Sequence, residues 1–293
     1  MTENKEYRNY LSRIEKLSDQ HRKEAASKRH QSGNRTAREN LEHLVDEDSF
    51  IEFGAFAVAA QRSRKDYDSL QKETSADGVI TGFCEINSNE IGQENSNAIA
   101  IVYDYSVLAG TQGYFHHQKL DRIMDKAKKY HLPIVIYTEG GGGRPGDVDV
   151  NTQIAGLNVP TFAKWASLDG SSLRIAINNG YCFAGNAALF GAADFRIATL
   201  QSWIGMAGPA MIEGGGLGKF NSTDIGPSKM HEMNGTIDFL AKDEKEATDV
   251  AKKLLAYFQG NQEMFKASEQ NKLRELIPED RKWGYPIRDI IEV

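Results

Sequence analysis

Cysteine is scarce in this sequence, and several other features are missing from it. The 293-residue chain has two cysteines, Cys84 and Cys182, and their spacing fits no paired pattern of structural zinc ligands. No run of about 18 apolar residues occurs, and the polar start Met1–Lys5 has no apolar signal-peptide region. A formal net charge of -6 does not favour nucleic acid or an anionic membrane surface. We therefore expect a reduced, cytoplasmic protein with no membrane segment, nucleic-acid partner or metal site.

The residues that are present are typical of a globular protein, with 40% hydrophobic and 26% charged residues. The length suits one large α/β domain or two small ones. Residues 7–44 differ from the rest, because they are helix-forming and densely charged. Gly33 is predicted to interrupt this segment, and Thr36 to cap a second helix with Glu39 at the capping-box position. The charges fit either a solvated face or a basic arm over an anionic ligand.

Predicted strands and helices alternate along the rest of the chain. The polar segment 61–75 is expected to be a surface loop. The order of elements indicates βαβ units with right-handed crossovers, in a sheet covered on both faces. We expect strands at residues 50–53, 78–86, 98–105, 133–137, 173–177 and 195–198, and helices at 113–130, around Trp165, at 184–193 and at 243–259.

Two glycine-containing turns follow predicted buried strands. The first, residues 139–145, holds four successive glycines, and the second, residues 179–186, leads into a run of small residues that opens a helix. Without a Cβ, a glycine turn can bring several backbone N–H groups to one small target, and a helix start adds unpaired N–H groups. Two such turns side by side would form an oxyanion hole, which stabilises developing negative charge.

Each turn also has a simpler interpretation. The first lacks the Gly-Lys-Ser/Thr ending of a phosphate loop, and Pro145 argues against the long helix that follows a dinucleotide fingerprint, so a flexible surface loop is the alternative. The small residues of the second turn also suit plain packing of a helix against a sheet. His116, His117 and His231 have no serine or carboxylate partner at a recognised spacing, so the sequence assigns them no chemistry.

Six motifs are spread over most of the chain. They are Gly33–Glu39 with Leu44–Glu52, Asp77–Gly82, Tyr103–Thr111, His116–Ala127, Gly141–Arg144 where a Gly-Gly-Ala-Arg turn is usual, and Cys182–Gly185 where Cys-Ala-Gly-Gly is usual. Together they resemble the N-terminal half of the carboxyltransferase component of biotin-dependent acyl-CoA carboxylases, in the crotonase-like superfamily. The resemblance implies an α/β fold, the crotonase-like (ClpP/crotonase) ββα-superhelix, with an N-terminal helical arm.

The resemblance also implies how the chain is divided. Residues 1–48 would form the helical arm, and 49–260 the acyl-CoA-binding carboxyltransferase domain. Residues 261–293 resemble the lead-in to a second carboxyltransferase half, which binds biotin in this family and is absent here. We therefore expect either a truncated first half or a second half on a separate polypeptide, with a catalytically incomplete site on this chain alone.

The chemistry implied by the resemblance is carboxyl transfer from carboxybiotin, on a carrier protein, to the α-carbon of an acyl-CoA. Backbone N–H groups stabilise the oxygen of the thioester enolate, so no side-chain nucleophile is needed. Matching positions imply that Gly185 and Asn186 face the thioester oxygen, while Gly142 and Gly143 line the facing turn. Asn186 stands where the family has glycine. The implied CoA contacts are Arg38, as a bidentate phosphate ligand, Ala184 and Gly141.

The implied partners are an acyl-CoA, a second carboxyltransferase half or subunit, the biotin carboxyl carrier and biotin carboxylase, in a homo- or hetero-oligomer. The direction of the reaction stays open, because related sodium-pump subunits decarboxylate. One alternative is a crotonase-type acyl-CoA hydratase or hydrolase, which needs acidic side chains near the second turn, where Asn186-Ala187-Ala188 has none. Another is a non-catalytic carboxylase subunit that kept the fold.

Overall fold

The computed structural model of the protein describes residues 4–150, 159–260 and 268–293. Its residues divide into two compact units, one ending at Gln259 and the other starting at Gly260. The first unit contains both the predicted arm and the sheet. The division at residues 48 and 260 into three domains stays a prediction, and residues 261–267 of the predicted extension lie outside the described residues.

Three helices form the N-terminal arm: α1 (Lys5–Glu15), α2 (Lys23–Gln31) and α3 (Ala37–Leu44). The predicted interruption is confirmed at Gly33, whose φ is 77°. The predicted capping box is also confirmed, since the Thr36 side chain accepts from the Glu39 N–H and the Glu39 carboxylate accepts from the Thr36 N–H. In α3, Leu41 and Leu44 are buried, whereas no residue of α1 is buried. Only the end of the arm therefore belongs to the core.

One sheet organises the first unit. Its seven strands, in the described part of the chain, follow each other in sequence order. The first three pair antiparallel, and the remaining pairs are parallel, which confirms the βαβ interpretation for the second part. The strands are β1 (Ile51–Phe53), β2 (Val79–Glu85), β3 (Asn97–Tyr103), β4 (Ile134–Tyr137), β5 (Arg174–Phe183), β6 (Phe195–Gly205) and β7 (Phe239–Ala241).

The helices after the arm alternate with these strands. Those of the first unit are α4 (Tyr67–Glu73), α5 (Ser88–Ile91), α6 (Tyr114–Tyr130), α7 (Thr161–Ala166), α8 (Gly185–Gly191), α9 (Pro209–Gly214), α10 (Ser228–Met233) and α11 (Glu244–Ala256). The second unit contains α12 (Leu273–Leu276) and α13 (Ile287–Ile291), and the Gln270 side chain there donates to the carbonyl of Val293. The predicted helices at 113–130 and 243–259, and the helix around Trp165, are confirmed.

Both faces of the sheet are covered. Ile99 and Ile101 of β3 point to a cluster that includes Leu120 and Met124 of α6. The alternate residues Ala98, Ala100 and Val102 belong to the opposite cluster, which α3 and α11 complete. Because β3 is buried on both sides, its sequence is a continuous run of apolar residues.

Two expectations about elements are wrong. Segment 61–75 is not simply a loop, because Asp66 caps α4 by accepting from the Ser69 N–H and Leu70 of that helix is fully buried. The strand expected at 173–177 extends to Phe183, so most of the predicted second turn is strand. A shift of register between Asn178 and Gly180, where Gly180 has a φ of 89°, lets β5 continue its pairing with β6.

Candidate functional site

The first glycine turn leaves the end of β4, and most of its N–H groups are already used. Gly140 donates to the carbonyl of Tyr181 (2.7 Å), and Gly141 donates to the carbonyl of Ala109 (3.0 Å). Gly142 donates to the Asn186 side chain (3.0 Å). The expectation that four glycines present several free donors is therefore wrong. Among the described residues, only the Gly143 N–H of this run has no acceptor.

Glycine is required in this turn by close packing. Gly142 has a φ of 89°, and a Cβ there would lie 2.8 Å from the Cβ of Ala184 in the second turn. A Cβ on Gly140 would overlap the carbonyl oxygen of Gly110 and the Asn186 amide nitrogen. The two glycine turns are thus in direct contact, as an oxyanion hole shared between them requires.

The second turn is short. Ala184 has φ 52° and ψ -118°, and its N–H donates to the carbonyl of Gly205. Helix α8 then begins at Gly185, and the N–H groups of Gly185 and Asn186 have no acceptor in the part of the chain described. A Cβ on Gly185 would overlap Oε1 of Gln112 and lie 3.0 Å from Cζ of Phe162.

Asn186 joins the two turns through its side chain, which is fully buried. Its Oδ1 accepts from the Gly142 N–H. Its Nδ2 donates to the carbonyl of Thr138 (3.0 Å) and to the carbonyl of Gly110 (3.3 Å). No local sequence pattern indicates this role, because the three partners lie 44, 48 and 76 positions from Asn186 along the chain.

Arg144, at the end of the first turn, anchors that turn to the start of α6. Its guanidinium is buried and pairs with Asp77 and, at 3.5 Å, with Asp147. The same two carboxylates accept from the helix N–H groups of His116 (2.7 Å) and Tyr114 (2.8 Å). One buried charge cluster therefore holds both the turn and the helix start.

His117 has a partner that sequence spacing did not reveal. Its Nδ1 lies 3.0 Å from the Thr161 hydroxyl, which donates to Asp121 (2.5 Å). Burial, and then the charge of Arg144, lowers the pKa of His117 to about 4. Because the Thr161 hydrogen is given to Asp121, the neutral ring carries its proton on Nδ1. The ring also lies 6.0 Å from that of Phe162, next to Gly185.

Glu139 begins the first turn and is bound to the N-terminal arm. Arg29 of α2 donates to both carboxylate oxygens, at 3.0 and 2.7 Å. Burial raises the pKa of Glu139 to about 7, although the Arg29 charge opposes the shift. A Cβ on Gly180 would overlap Oε1 of this carboxylate, so the ion pair fills the space beside β5.

A cavity of about 980 Å³, here called the arm cavity, lies between the arm and the ends of β4, β5 and β6. Glu139 and Gly180 border it on the side of the glycine turns. Lys23 of α2 and Lys72 of α4 also line it, and neither has an ion-pair partner in the described part of the chain. Its remaining cationic and aromatic lining residues are His21, Arg22, Lys28, Arg29, Tyr105, Tyr181 and Trp203.

Arg38, the arginine expected to bind a CoA phosphate, lies elsewhere. Its guanidinium is paired bidentately with Glu52, at 2.7 and 3.2 Å. It lines a different cavity, of about 750 Å³, together with Tyr10 and Ile14 of α1. Its role in phosphate binding stays a prediction, and it would require this ion pair to open.

The described residues contain neither a metal-binding cluster nor a membrane-spanning helix. Within ranges 4–150, 159–260 and 268–293, no group of three or more His, Cys, Asp or Glu side chains is placed to hold a metal ion. None of the helices described there is long and apolar enough to cross a membrane.

Known proteins resemble this chain over almost its whole length. The methylmalonyl-CoA carboxyltransferase 12S subunit of Propionibacterium freudenreichii subsp. shermanii is 29% identical over 297 residues, which cover 95% of this chain and 54% of the relative. The chain thus spans about half the length of this curated relative.

Solved structures extend the comparison to the fold. A single-chain, multi-domain long-chain acyl-CoA carboxylase has 44% identity and a TM-score of 0.93, over 99% of this chain and 29% of that chain. A transcarboxylase 12S crystal structure with methylmalonyl-CoA and methylmalonic acid bound has 26% identity and a TM-score of 0.79, over 99% of this chain and 55% of that chain. These similarities confirm the crotonase-like α/β fold. The family model for the carboxyl transferase domain matches residues 28–293, and this coverage shows that the chain belongs to the carboxyl transferase domain family.

Proposed function

We propose that this chain binds an acyl-CoA and stabilises its thioester enolate while a carboxyl group moves between biotin and the α-carbon. The observation that carries the proposal is the contact between two turns whose N–H groups at Gly143, Gly185 and Asn186 have no acceptor among the described residues. Donors held in place before the reaction favour the negatively charged oxygen over the neutral thioester. Losing one such donor costs about 3 kcal/mol of barrier.

The chain supplies the CoA side of this reaction. Biotin, presented on a carrier protein, would supply the carboxyl group, and we assign no residue of this chain to it. Because the chain spans about half of its relative, we propose that a second carboxyltransferase half or subunit completes the site. The 12S structure shows hexamer assembly and substrate binding to a multienzyme core, and this supports an oligomer. We further propose that biotin carboxyl carrier and biotin carboxylase act with it.

The arm cavity is where we place the CoA moiety. It borders the glycine turns at Glu139 and Gly180, so a thioester at the turns could continue into it. Lys23 and Lys72 are exposed cations on its wall with no ion-pair partner among the described residues, which suits the phosphates of CoA. The bound methylmalonyl-CoA of the 12S structure makes a CoA thioester the first ligand to test.

The alternative of a crotonase-type hydratase or hydrolase needs a free acid or base beside the turns. Glu139 is the acidic residue of the first turn, and its raised pKa would suit proton transfer near neutral pH. However, both of its oxygens accept from Arg29. The geometry thus favours a structural ion pair, and the carboxyltransferase proposal is preferred.

Isothermal titration calorimetry with a panel of acyl-CoAs tests the proposal. We expect saturable binding of at least one acyl-CoA, with no steady hydration of enoyl-CoA and no release of free thiol. Absence of binding by every acyl-CoA would refute the CoA site. If the chain alone catalyses hydration of an enoyl-CoA, the hydratase alternative is favoured. If it catalyses cleavage of the thioester, the hydrolase alternative is favoured.

A further inference from the structure

The Asn186 carboxamide makes contacts that no other side chain in the two turns makes. A carboxamide has one acceptor oxygen and an NH₂ group with two donors. Here the oxygen meets the Gly142 N–H, and the nitrogen meets the carbonyls of Thr138 and Gly110. Only one orientation of the amide satisfies all three partners, because a flipped amide would place its oxygen against two carbonyls and its NH₂ against an N–H group.

These three contacts decide which N–H groups of the turns stay free. The side chain occupies the Gly142 N–H, so the free donor of the first turn is that of Gly143. The backbone N–H of Asn186 itself has no acceptor among the described residues. A single residue therefore contributes one donor directly and holds the turn that carries another.

We propose that the Asn186 side chain is a positioning residue for the oxyanion hole, setting the place of the Gly143 donor relative to those of Gly185 and Asn186. The inference rests on the proposed function of the two turns. A glycine at this position would have no side chain to join the turns, so the geometry here depends on the Asn186 carboxamide. A misplacement of donors by about 1 Å is enough to cost about 100-fold in rate.

Isotope-edited infrared spectroscopy reads the donors directly. The C=O stretch of an acyl-CoA labelled with ¹³C at the thioester carbonyl falls in frequency when donors polarise the oxygen. We expect a shift to lower frequency on binding to the wild-type chain, and loss of most of that shift in Asn186→Ala. Asn186→Asp keeps the shape of the side chain and an acceptor for the Gly142 N–H, but it loses the NH₂ group that donates to Thr138 and Gly110. It should therefore lose the carbonyl shift as well. This variant is the second test if Asn186→Ala does not fold.

Asn178→Ala is the matched control. Asn178 is also a fully buried asparagine of the same region, and its Nδ2 donates to the carbonyl of Gly180 at the irregularity in β5. This variant should lower thermal stability while keeping the carbonyl shift. A shift retained in both Asn186 variants would overturn the inference. Failure of the wild-type chain to bind any acyl-CoA, or binding without a carbonyl shift, would instead contradict the proposed function.

Discussion

Gly142 and Gly143 are neighbours in the first turn but differ in what the fold demands of them. Gly142 has φ 89° and touches Ala184, whereas a Cβ on Gly143 would meet nothing within 4 Å. Gly142→Ala should therefore lower the free energy of unfolding by about 2 kcal/mol or more, through strain and overlap. Gly143→Ala, the matched control, should change it by less than about 0.5 kcal/mol. Urea denaturation measures both, and equal losses would contradict the described contact between the turns.

Glu139 gives a prediction about pH. Burial raises its pKa from 4.5 to about 7 in the folded protein. The folded state therefore binds this proton more tightly than the unfolded state, and the stabilising contribution falls as the pH rises from about 4.5 to about 7. Glu139→Gln removes the titration. The stability of wild type minus that of Glu139→Gln should therefore decline over this range and level off above about pH 7.

Denaturation of both proteins between about pH 5 and about pH 8 provides the measurement. Glu24→Gln is the control, because Lys28 lowers the pKa of the exposed Glu24. The stability of wild type minus that of Glu24→Gln should not decline as the pH rises. If the stability of wild type minus that of Glu139→Gln stays constant or grows as the pH rises, burial does not dominate the pKa of this carboxylate.

At the scale of residues, the sequence predicts which glycines matter better than it predicts which side chains do. Runs of glycine after apolar strands are visible in the sequence, and the turns at 140–143 and 184–185 do meet. The Asn186 side chain contacts Gly142, which lies 44 positions earlier in the chain. Thr161 likewise contacts Asp121 and His117, which lie 40 and 44 positions earlier. Such partners depend on how the sheet is assembled, which local patterns do not encode.

The arm and helix α4 form two walls of the arm cavity, and the proposal that CoA phosphates bind there makes a prediction for both elements. Lys23→Glu on α2 and Lys72→Glu on α4 should each weaken acyl-CoA binding several-fold, because each replaces attraction to phosphate by repulsion. The effect should shrink at high ionic strength, since exposed charges are screened. Calorimetric titrations at low and high salt check both expectations.

Lys245→Glu is the matched control for charge. Lys245 is exposed on α11 and does not line the arm cavity, so the same change in net charge there should leave the affinity nearly unchanged. Equal weakening by all three variants would indicate an effect of net charge alone. No weakening by either cavity variant would move the CoA phosphates away from the arm cavity and back towards Arg38.

At the scale of elements, strong periodic patterns predict well and short or irregular ones do not. The capping box at Thr36, the stripe of α6 and the apolar run of β3 each specify one element, and each is confirmed. Helix α4 was missed because Leu70 is the one buried residue of its seven. The far half of β5 was missed because Asn178-Asn179-Gly180 has the composition of a turn, while pairing with β6 keeps it extended.

At the scale of the whole molecule, the described part of the first unit has one pair of glycine turns. The chain spans 54% of the 12S relative. We therefore expect two properties to be separable. Binding of acyl-CoA should belong to this chain, whereas carboxyl transfer from free carboxybiotin should be very weak without a second half. A chain that transfers the carboxyl group rapidly on its own would contradict this division.

We expect the thioester oxygen of a bound acyl-CoA to lie against the backbone donors of the two turns. A crystal structure of the chain with a bound acyl-CoA would show this contact. The expected result is a thioester oxygen within about 3.2 Å of the N–H groups of Gly185 or Asn186, with the CoA phosphates in the arm cavity. A bound acyl-CoA whose thioester lies away from both turns would contradict it.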